Sequence, residues 1–360
     1  MGEKADSSFL LGGVGDFGYS CIAIEQYAEV VYNGDYYRSS GRGDFVVALF
    51  FNILKTARPR QWVKNLTLYA ALVFSGNIYS VQTWWTNFGR VTEAIGAFTV
   101  LASAIYFLND IIDIEADQAH PFKKRRPIAS GKIPLWLAWT IFTGGSLVGL
   151  GWAKSISGLY FWAVLGYWLM QILYSLWLKN VEVVDVLVIA FGFFLRVFAG
   201  ALVIDGHLSI WFLLCVISVS VFLAVGKRRA EMAILTEQGA ALHRKVMGKY
   251  TVNILDAYLA MFATAAFLSW ALYTFNFYEQ ADWQSVPLTL AQTSRTLTIN
   301  KWLMATIPVV IFGIMRYIRI IYDGARAETP ERVILSDFPL LVSVATWGFM
   351  VVTVLYWLPK

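Results

Sequence analysis

Arg90 to Lys132 reads RVTEAIGAFTVLASAIYFLNDIIDIEADQAHPFKKRRPIASGK, an apolar run of bilayer length that ends in Asn109 and three aspartates, with five cations just beyond. If the helix of the apolar run continues to Asp117, then Asp110, Asp113 and Asp117 fall at i, i+3 and i+7 on one face, with Asn109 one turn before Asp113. Such an oxygen-rich face suits a hard cation like Mg²⁺, which binds through one or two carboxylates and keeps waters and phosphate oxygens as its other ligands. Lys123, Lys124, Arg125, Arg126 and Lys132 supply the complementary charge for phosphate oxygens. A solvated helix end followed by a basic loop is the plain alternative. Three acids in phase against a membrane-length segment are costly to place for that purpose alone.

Composition sets the class of the whole chain. Of its 360 residues, 58% are hydrophobic, 16% aromatic and only 15% charged, well outside an ordinary soluble domain. Repeated apolar runs near bilayer length, with no alternating barrel pattern, predict an all-α polytopic membrane protein, because helices satisfy their backbone hydrogen bonds internally. No soluble domain of ordinary size is left over. Cys21 and Cys215 are poorly placed to pair, so neither a disulfide nor a zinc site is expected.

Residues 1–43 lack the basic start, short apolar core and cleavage site of a signal peptide and are expected to remain as a cytoplasmic tail. Gly13, Gly15 and Gly18 match a dinucleotide-binding spacing, but no β-α-β unit can be built around them, which excludes that reading. Residues 44–360 form the membrane domain. Its first stretch, Asp44 to Lys55, is too short to span and is expected to lie flat as an interfacial helix.

Nine spans are predicted after it, over about 62–78, 90–109, 134–152, 157–177, 183–204, 208–226, 252–274, 301–321 and 338–357. With the amino terminus in the cytoplasm, 23 of the 29 cations fall inside; the exceptions are Arg90, Lys154, Arg295, Lys301, Lys360 and the intramembrane Arg196. That bias predicts a cytoplasmic (inner) membrane protein with its amino terminus in the cytoplasm and its carboxyl terminus outside.

The same orientation gathers every unusual polar cluster on the cytoplasmic side. Arg58, Arg60 and Lys64 open the first span, the aspartates close the second, and Tyr174-Ser-Leu-Trp-Leu-Lys179 with Glu182 and Asp185 joins the fourth to the fifth. Lys227, Arg228, Arg229 and Glu231 follow the sixth. Each cluster alone can be read as ordinary positive-inside decoration, the sixth-span group equally well so; together they describe a chamber with acids for a metal and bases for phosphate. Arg196 and Glu93 sit inside apolar runs and are read as structurally paired rather than catalytic. His120 is read as a loop residue orienting the phosphate-binding segment, and His207 and His243 have no metal-ligand spacing.

Asn109-Asp110-x-x-Asp113-x-x-x-Asp117, the following HPFKKRRPIASGKI and a first span beginning RPRQWVKN resemble the UbiA superfamily of intramembrane prenyltransferases, from about Lys55 to the carboxyl terminus. Within it, YSLWLKNVEVVD departs from the second aspartate motif that aromatic prenyltransferases use with the first to hold an allylic diphosphate. That stretch, FLAVGKRRAEM, and RYIRIIYDGARAETPE resemble the decaprenyl-phosphate phosphoribosyltransferase branch. The resemblance implies a nine-helix UbiA-like bundle with a cytoplasm-facing active site.

It also implies transfer of 5-phosphoribose from phosphoribosyl pyrophosphate to a polyprenyl phosphate, with Mg²⁺ as cofactor, for a cell-envelope arabinan precursor. Asp110, Asp113 and Asp117 are then expected to hold the metal, and with Lys179 to form the catalytic set. Arg60, Lys64, Asn109, Lys123, Arg126, Tyr174, Asp185, Lys227 and Arg228 are expected to contact substrate, Asp185 through a second metal or the ribose hydroxyls. The partners are then the sugar diphosphate, the lipid and the membrane, with no nucleic acid; homo-oligomerisation is left open. An aromatic prenyltransferase is the alternative within the superfamily. A transporter would instead carry its polar groups at the midplane.

Overall fold

The computed structural model describes residues 42–75, 81–119, 123–238, 250–277, 302–322, 333 and 336–356. The glycine triplet and Cys21 of the tail, His120, His243 and residues 323–332 lie outside them. The chain divides into two compact units, Met1–Asn52 and Ile53–Lys360, and all residues of the candidate site belong to the second.

The described elements are helical. Helix α1 (Arg42–Ala57) is followed by a 3₁₀ segment (Pro59–Leu68), α2 (Tyr69–Phe74), α3 (Val81–Ile112), α4 (Ile114–Ala119), a 3₁₀ turn (Lys123–Arg125), α5 (Leu135–Ile156) and α6 (Gly158–Leu176). A 3₁₀ turn (Leu178–Asn180), α7 (Val184–Ile204), α8 (Ile210–Gln238), α9 (Val252–Asn276), a further 3₁₀ turn (Trp302–Thr306), α10 (Ile307–Tyr322) and α11 (Phe338–Tyr356) complete the chain. Among the described residues, eight helices are long and apolar enough to cross a membrane, which makes this a multi-pass membrane protein. Val46–Ala57 is apolar but shorter than a span.

The segment read as the first of nine spans is built differently. Ten residues of 3₁₀ helix run into six of α-helix, so no single long helix forms there. At about 2.0 Å of rise per 3₁₀ residue and about 1.5 Å per α residue, the pair still covers roughly 29 Å, close to the hydrocarbon thickness. Polar anchors hold it in place. The Asn65 amide donates to Thr99 Oγ1 (2.9 Å) on α3, and Asn65 Oδ1 accepts from Arg196 Nε (3.0 Å) on α7.

Small residues bring the backbones together, as they do where lipid supplies no hydrophobic drive between helices. A Cβ on Gly200 of α7 would stand 2.3 Å from the Leu68 carbonyl oxygen, and one on Gly149 of α5 would stand 3.0 Å from Leu101 Cβ on α3. Leu68, Leu72, Phe98, Leu101, Tyr160 and Ala199 fill the core that results. A second core joins α7 to α8, α9, α10 and α11 through Val186, Phe222, Leu255, Leu259, Tyr317 and Leu340.

Arg196 is buried, and among the described residues no acid pairs with it: Nη1 donates to the Gly192 carbonyl (2.7 Å) and Nη2 to the Tyr167 hydroxyl (2.8 Å), and the Phe98, Tyr167 and Phe193 rings flank the guanidinium. Hydrogen bonds and ring faces satisfy a cation that would otherwise be costly to bury. Glu93 is exposed and accepts from the Trp152 indole (3.0 Å). Both are partnered, as the sequence predicts.

The most enclosed spans are those that carry the polar site. Within the apolar windows of α7, α3 and α8, 61%, 56% and 50% of residues are buried, against 17% for α10. Because the spans alternate in direction, Arg58, Asp110, Lys179, Asp185, Arg228, Tyr250 and Asp337 all lie at the same end of the bundle.

Candidate active site

The aspartate face forms despite a break in the helix. Helix α3 stops at Ile112 and α4 starts at Ile114, yet Asp113 N–H donates to the Asn109 carbonyl (3.1 Å) and Asp117 N–H to the Asp113 carbonyl (2.8 Å). The i to i−4 ladder therefore carries through, and the three acids stay on adjacent turns. Asp110 and Asp117 are buried and Asp113 is half-buried.

Each acid meets a cation from elsewhere in the chain. Arg58 and Asp110 form an ion pair, and the Arg58 guanidinium also lies over the Tyr106 ring at 4.9 Å, one turn from Asp110 on the same helix. Arg126 Nη1 bridges Asp110 (3.2 Å) and Asp117 (2.6 Å). Lys179 and Asp113 form the third pair. The Arg58 and Arg126 side chains are 26% and 28% exposed and keep a path to solvent or ligand, whereas Lys179 is buried against Asp113.

The loop that delivers Arg126 is a built element. Arg126 N–H donates to the Lys123 carbonyl (2.9 Å), Ser130 N–H to the Arg126 carbonyl (2.8 Å), and Lys132 N–H to the Pro127 carbonyl (2.9 Å). Pro127, Ile128 and Ala129 are buried, and the chain turns at Gly131 with φ +75°, a left-handed conformation that glycine takes without strain. Gln118 Nε2 ties the loop to α4 through the Ala129 carbonyl (3.1 Å). Lys123 is half-buried on the 3₁₀ turn at its start.

Asp185 and Arg228 sit in a second cluster. Asp185 is 1% exposed; Oδ2 accepts from Arg228 Nε (2.7 Å) and Oδ1 from the Tyr250 hydroxyl (2.7 Å). Arg228, also 1% exposed, donates from Nη1 to Glu231 (2.6 Å) and from Nη2 to the Tyr174 hydroxyl (3.5 Å). Both side chains are paired with each other and with their neighbours, as charges this deeply buried require. Burial, reinforced by the Asp185 carboxylate, pushes the Tyr250 hydroxyl above its ordinary range and keeps it a proton donor.

Lys179 and Asp185 belong to one short stretch. Trp177 ends α6, Lys179 sits in the 3₁₀ turn, and Val183 opens α7 with φ 66° and ψ −44°. Val184 N–H donates to the Glu182 carbonyl (2.7 Å), which makes Val183 the centre of a positive-φ γ-turn, a strained conformation for a β-branched residue.

Of the remaining expected residues, Asn109 is half-buried on α3, Lys227 is half-buried on α8, and Lys64 lies 6.0 Å from the centre of the Phe193 ring. Arg60 is exposed. Arg58, immediately before the 3₁₀ segment, is the residue of this stretch that reaches the aspartates. Arg58 is also in the left-handed region (φ 55°), where the chain leaves α1. Tyr250 was missed altogether; no periodicity in its neighbourhood marks it.

Oxygen donors on adjacent turns fit a hard cation. Among the described residues no group of three or more His, Cys, Asp or Glu is gathered into a cage. Carboxylates spaced along a wall, with cations opposite, suit an ion that takes one or two of them and completes its shell with phosphate and water.

A profile of the UbiA prenyltransferase family matches residues 67–231. The chain is 33% identical over 302 residues to the decaprenyl-phosphate phosphoribosyltransferase of Mycolicibacterium smegmatis, covering 83% of this chain and 91% of that one. It is 32% identical over 314 residues to the enzyme of the same name from Corynebacterium glutamicum, covering 85% and 87%. Among solved structures, a UbiA homologue from Archaeoglobus fulgidus bound to GPP and Mg²⁺ superposes with a TM-score of 0.59 at 18% identity, over 84% of this chain and 99% of the other. A fold shared at that level and a sequence shared over nearly the full length of its relatives lead to one assignment: the chain belongs to the UbiA prenyltransferase family.

Proposed function

We propose that the protein transfers 5-phosphoribose from phosphoribosyl pyrophosphate to a polyprenyl phosphate, with release of pyrophosphate. The names of its relatives support this reading, and so does one geometric observation: the Lys179 ammonium stands against Asp113, on the stretch where an aromatic prenyltransferase would carry a second acidic motif. A cation there contributes its charge to phosphate directly and disfavours a second divalent ion on the same spot.

In the reaction an oxygen of the lipid phosphate forms a bond to C1 of the ribose while the bond from C1 to pyrophosphate breaks. Pyrophosphate leaves with the electron pair. The nucleophile is already an anion, so alignment matters more than a general base. Arg58, Arg126 and Lys179 are poised to exchange carboxylate for phosphate oxygens, the two arginines with the forked geometry that phosphate favours. Lys64 and Lys123 are further contacts for the two anionic substrates. Asp110, Asp113 and Asp117 would hold Mg²⁺, whose charge stabilises the leaving pyrophosphate. The burial of Asp110 and Asp117 strengthens every such interaction by lowering the local dielectric. The charge bias of the loops supports a site on the cytoplasmic face of the inner membrane, with the amino terminus inside.

Purified protein given radiolabelled phosphoribosyl pyrophosphate and a polyprenyl phosphate should form labelled lipid in the presence of Mg²⁺. Given an allylic diphosphate and an aromatic acid, it should form nothing. The opposite pair of results transfers the protein to the aromatic prenyltransferase reading.

A further inference from the structure

We propose that Tyr250 is a positioning residue for Lys179, acting through the Val183 turn. The role given to Lys179 rests on the proposed reaction; the geometry that holds it does not.

Val183 N–H donates to the Tyr250 hydroxyl (2.7 Å), and the same hydroxyl donates to Asp185 Oδ1 (2.7 Å). One side chain thus closes the γ-turn on its amino side and fastens it to the first turn of α7. The turn needs such a fastening: a valine at φ 66° is held against its own steric preference, and a conformation of this kind persists only when its surroundings over-determine it. From the other direction the stretch is bonded locally, with Asn180 N–H to the Trp177 carbonyl (3.0 Å), Val181 N–H to the Leu178 carbonyl (3.1 Å) and Asp185 N–H to the Val181 carbonyl (3.1 Å). Lys179 lies between these fixed ends, four residues before the Val183 turn, with its ammonium paired to Asp113.

The fastening is itself rigid. Tyr250 is 3% exposed and immediately precedes Thr251, whose side chain caps α9 by accepting from Ile254 N–H (3.3 Å). Asp185, which accepts from Tyr250, is fixed in turn by Arg228, and Arg228 by Glu231 and Tyr174. A hydrogen-bonded chain therefore runs from α8 and α9 to the turn next to Lys179, over a sequence separation of 67 residues between Val183 and Tyr250. Its arrangement is that of a supporting shell, which holds a reacting group by locking its neighbours.

Tyr250→Phe keeps the ring and removes both bonds. In detergent-purified full-length protein, acylation of Lys179 by acetic anhydride, followed by peptide mass spectrometry, should quicken about tenfold, the size expected from losing bonds of this kind. KM for phosphoribosyl pyrophosphate should rise by a similar factor, with a smaller change in kcat. In a Lys179→Ala background, Tyr250→Phe should add nothing to the KM effect. If Tyr250→Phe fails to fold because Asp185 has lost a donor, Val183→Pro provides the second arm: it removes the N–H and forbids the positive φ while leaving the Tyr250 to Asp185 bond, and should expose Lys179 equally. Unchanged Lys179 labelling in whichever variant folds overturns the proposal, as does an additive effect of Tyr250→Phe on Lys179→Ala. The labelling result stands or falls without any turnover, so a protein that ignores phosphoribosyl pyrophosphate would sink the proposed reaction and leave this inference to be judged on its own.

Discussion

At the scale of single residues, the two charge clusters behave as different materials. Lys179 belongs to the one whose two arginines are partly exposed. Lys179→Ala is expected to weaken use of phosphoribosyl pyrophosphate or lipid phosphate by about 1.5–3 kcal/mol, the range for a hydrogen bond to a charged group. Lys179→Asp should be worse, because a second carboxylate would then face Asp113, and steady-state kinetics on both variants checks the order. Equal and mild effects would reduce Lys179 to a topogenic charge. Arg228 and Arg229 make the contrast with the buried cluster. Arg228→Ala leaves Asp185 buried beside no cation, which is expected to cost about 3–5 kcal/mol of stability. Arg229 pairs with Asp256 (2.6 Å), whose side chain is 29% exposed, so losing Arg229 leaves an acid that water can still reach and should cost less than losing Arg228. Unfolding in detergent would measure the difference between these neighbours.

At the scale of elements, helix ends set the site, and the last helix shows how one is tuned. Asp337 caps α11 by accepting from Leu340 N–H (3.0 Å), and it holds Arg316 through both oxygens (3.0 and 2.7 Å). The Arg316 guanidinium, outweighing the burial that acts the other way, lowers the Asp337 carboxyl below its ordinary value of 3.8. A carboxylate depressed in the folded state binds fewer protons there than in the unfolded chain. Its contribution is therefore complete above about pH 3.8 and is lost as pH falls through the folded value. The melting temperature of Asp337→Asn should lie below that of the parent by a constant margin near neutral pH, and the margin should close in acid. A margin that persists when the carboxyl is protonated would show that the charge is not what matters. The junction between α1 and the 3₁₀ stretch is the other element whose form matters, since Arg58 meets Asp110 from its left-handed turn there.

At the scale of the molecule, every site residue lies at one end of an alternating bundle, so orientation decides which compartment supplies the sugar diphosphate. In a background with Cys21→Ser and Cys215→Ala, cysteines placed at the exposed Ser130 and Ser155 should be labelled from opposite sides by an impermeant maleimide, with Ser130→Cys reached only after the membrane is opened. Labelling of both from outside would overturn the orientation drawn from the cation bias. The sequence by itself determined the class, the order of the spans and the face shared by Asp110, Asp113 and Asp117, because hydropathy and the 3.6-residue period are properties of a stretch read in isolation. Only the tertiary structure decided which cation answers which acid. Arg58 meets Asp110 across 52 residues and Tyr250 meets Asp185 across 65, distances over which periodicity carries no information. It likewise buried Asp185 and Arg228 against each other, since a residue's type and spacing report the chemistry it can do, while the depth at which packing leaves it determines which neighbours it must pair with.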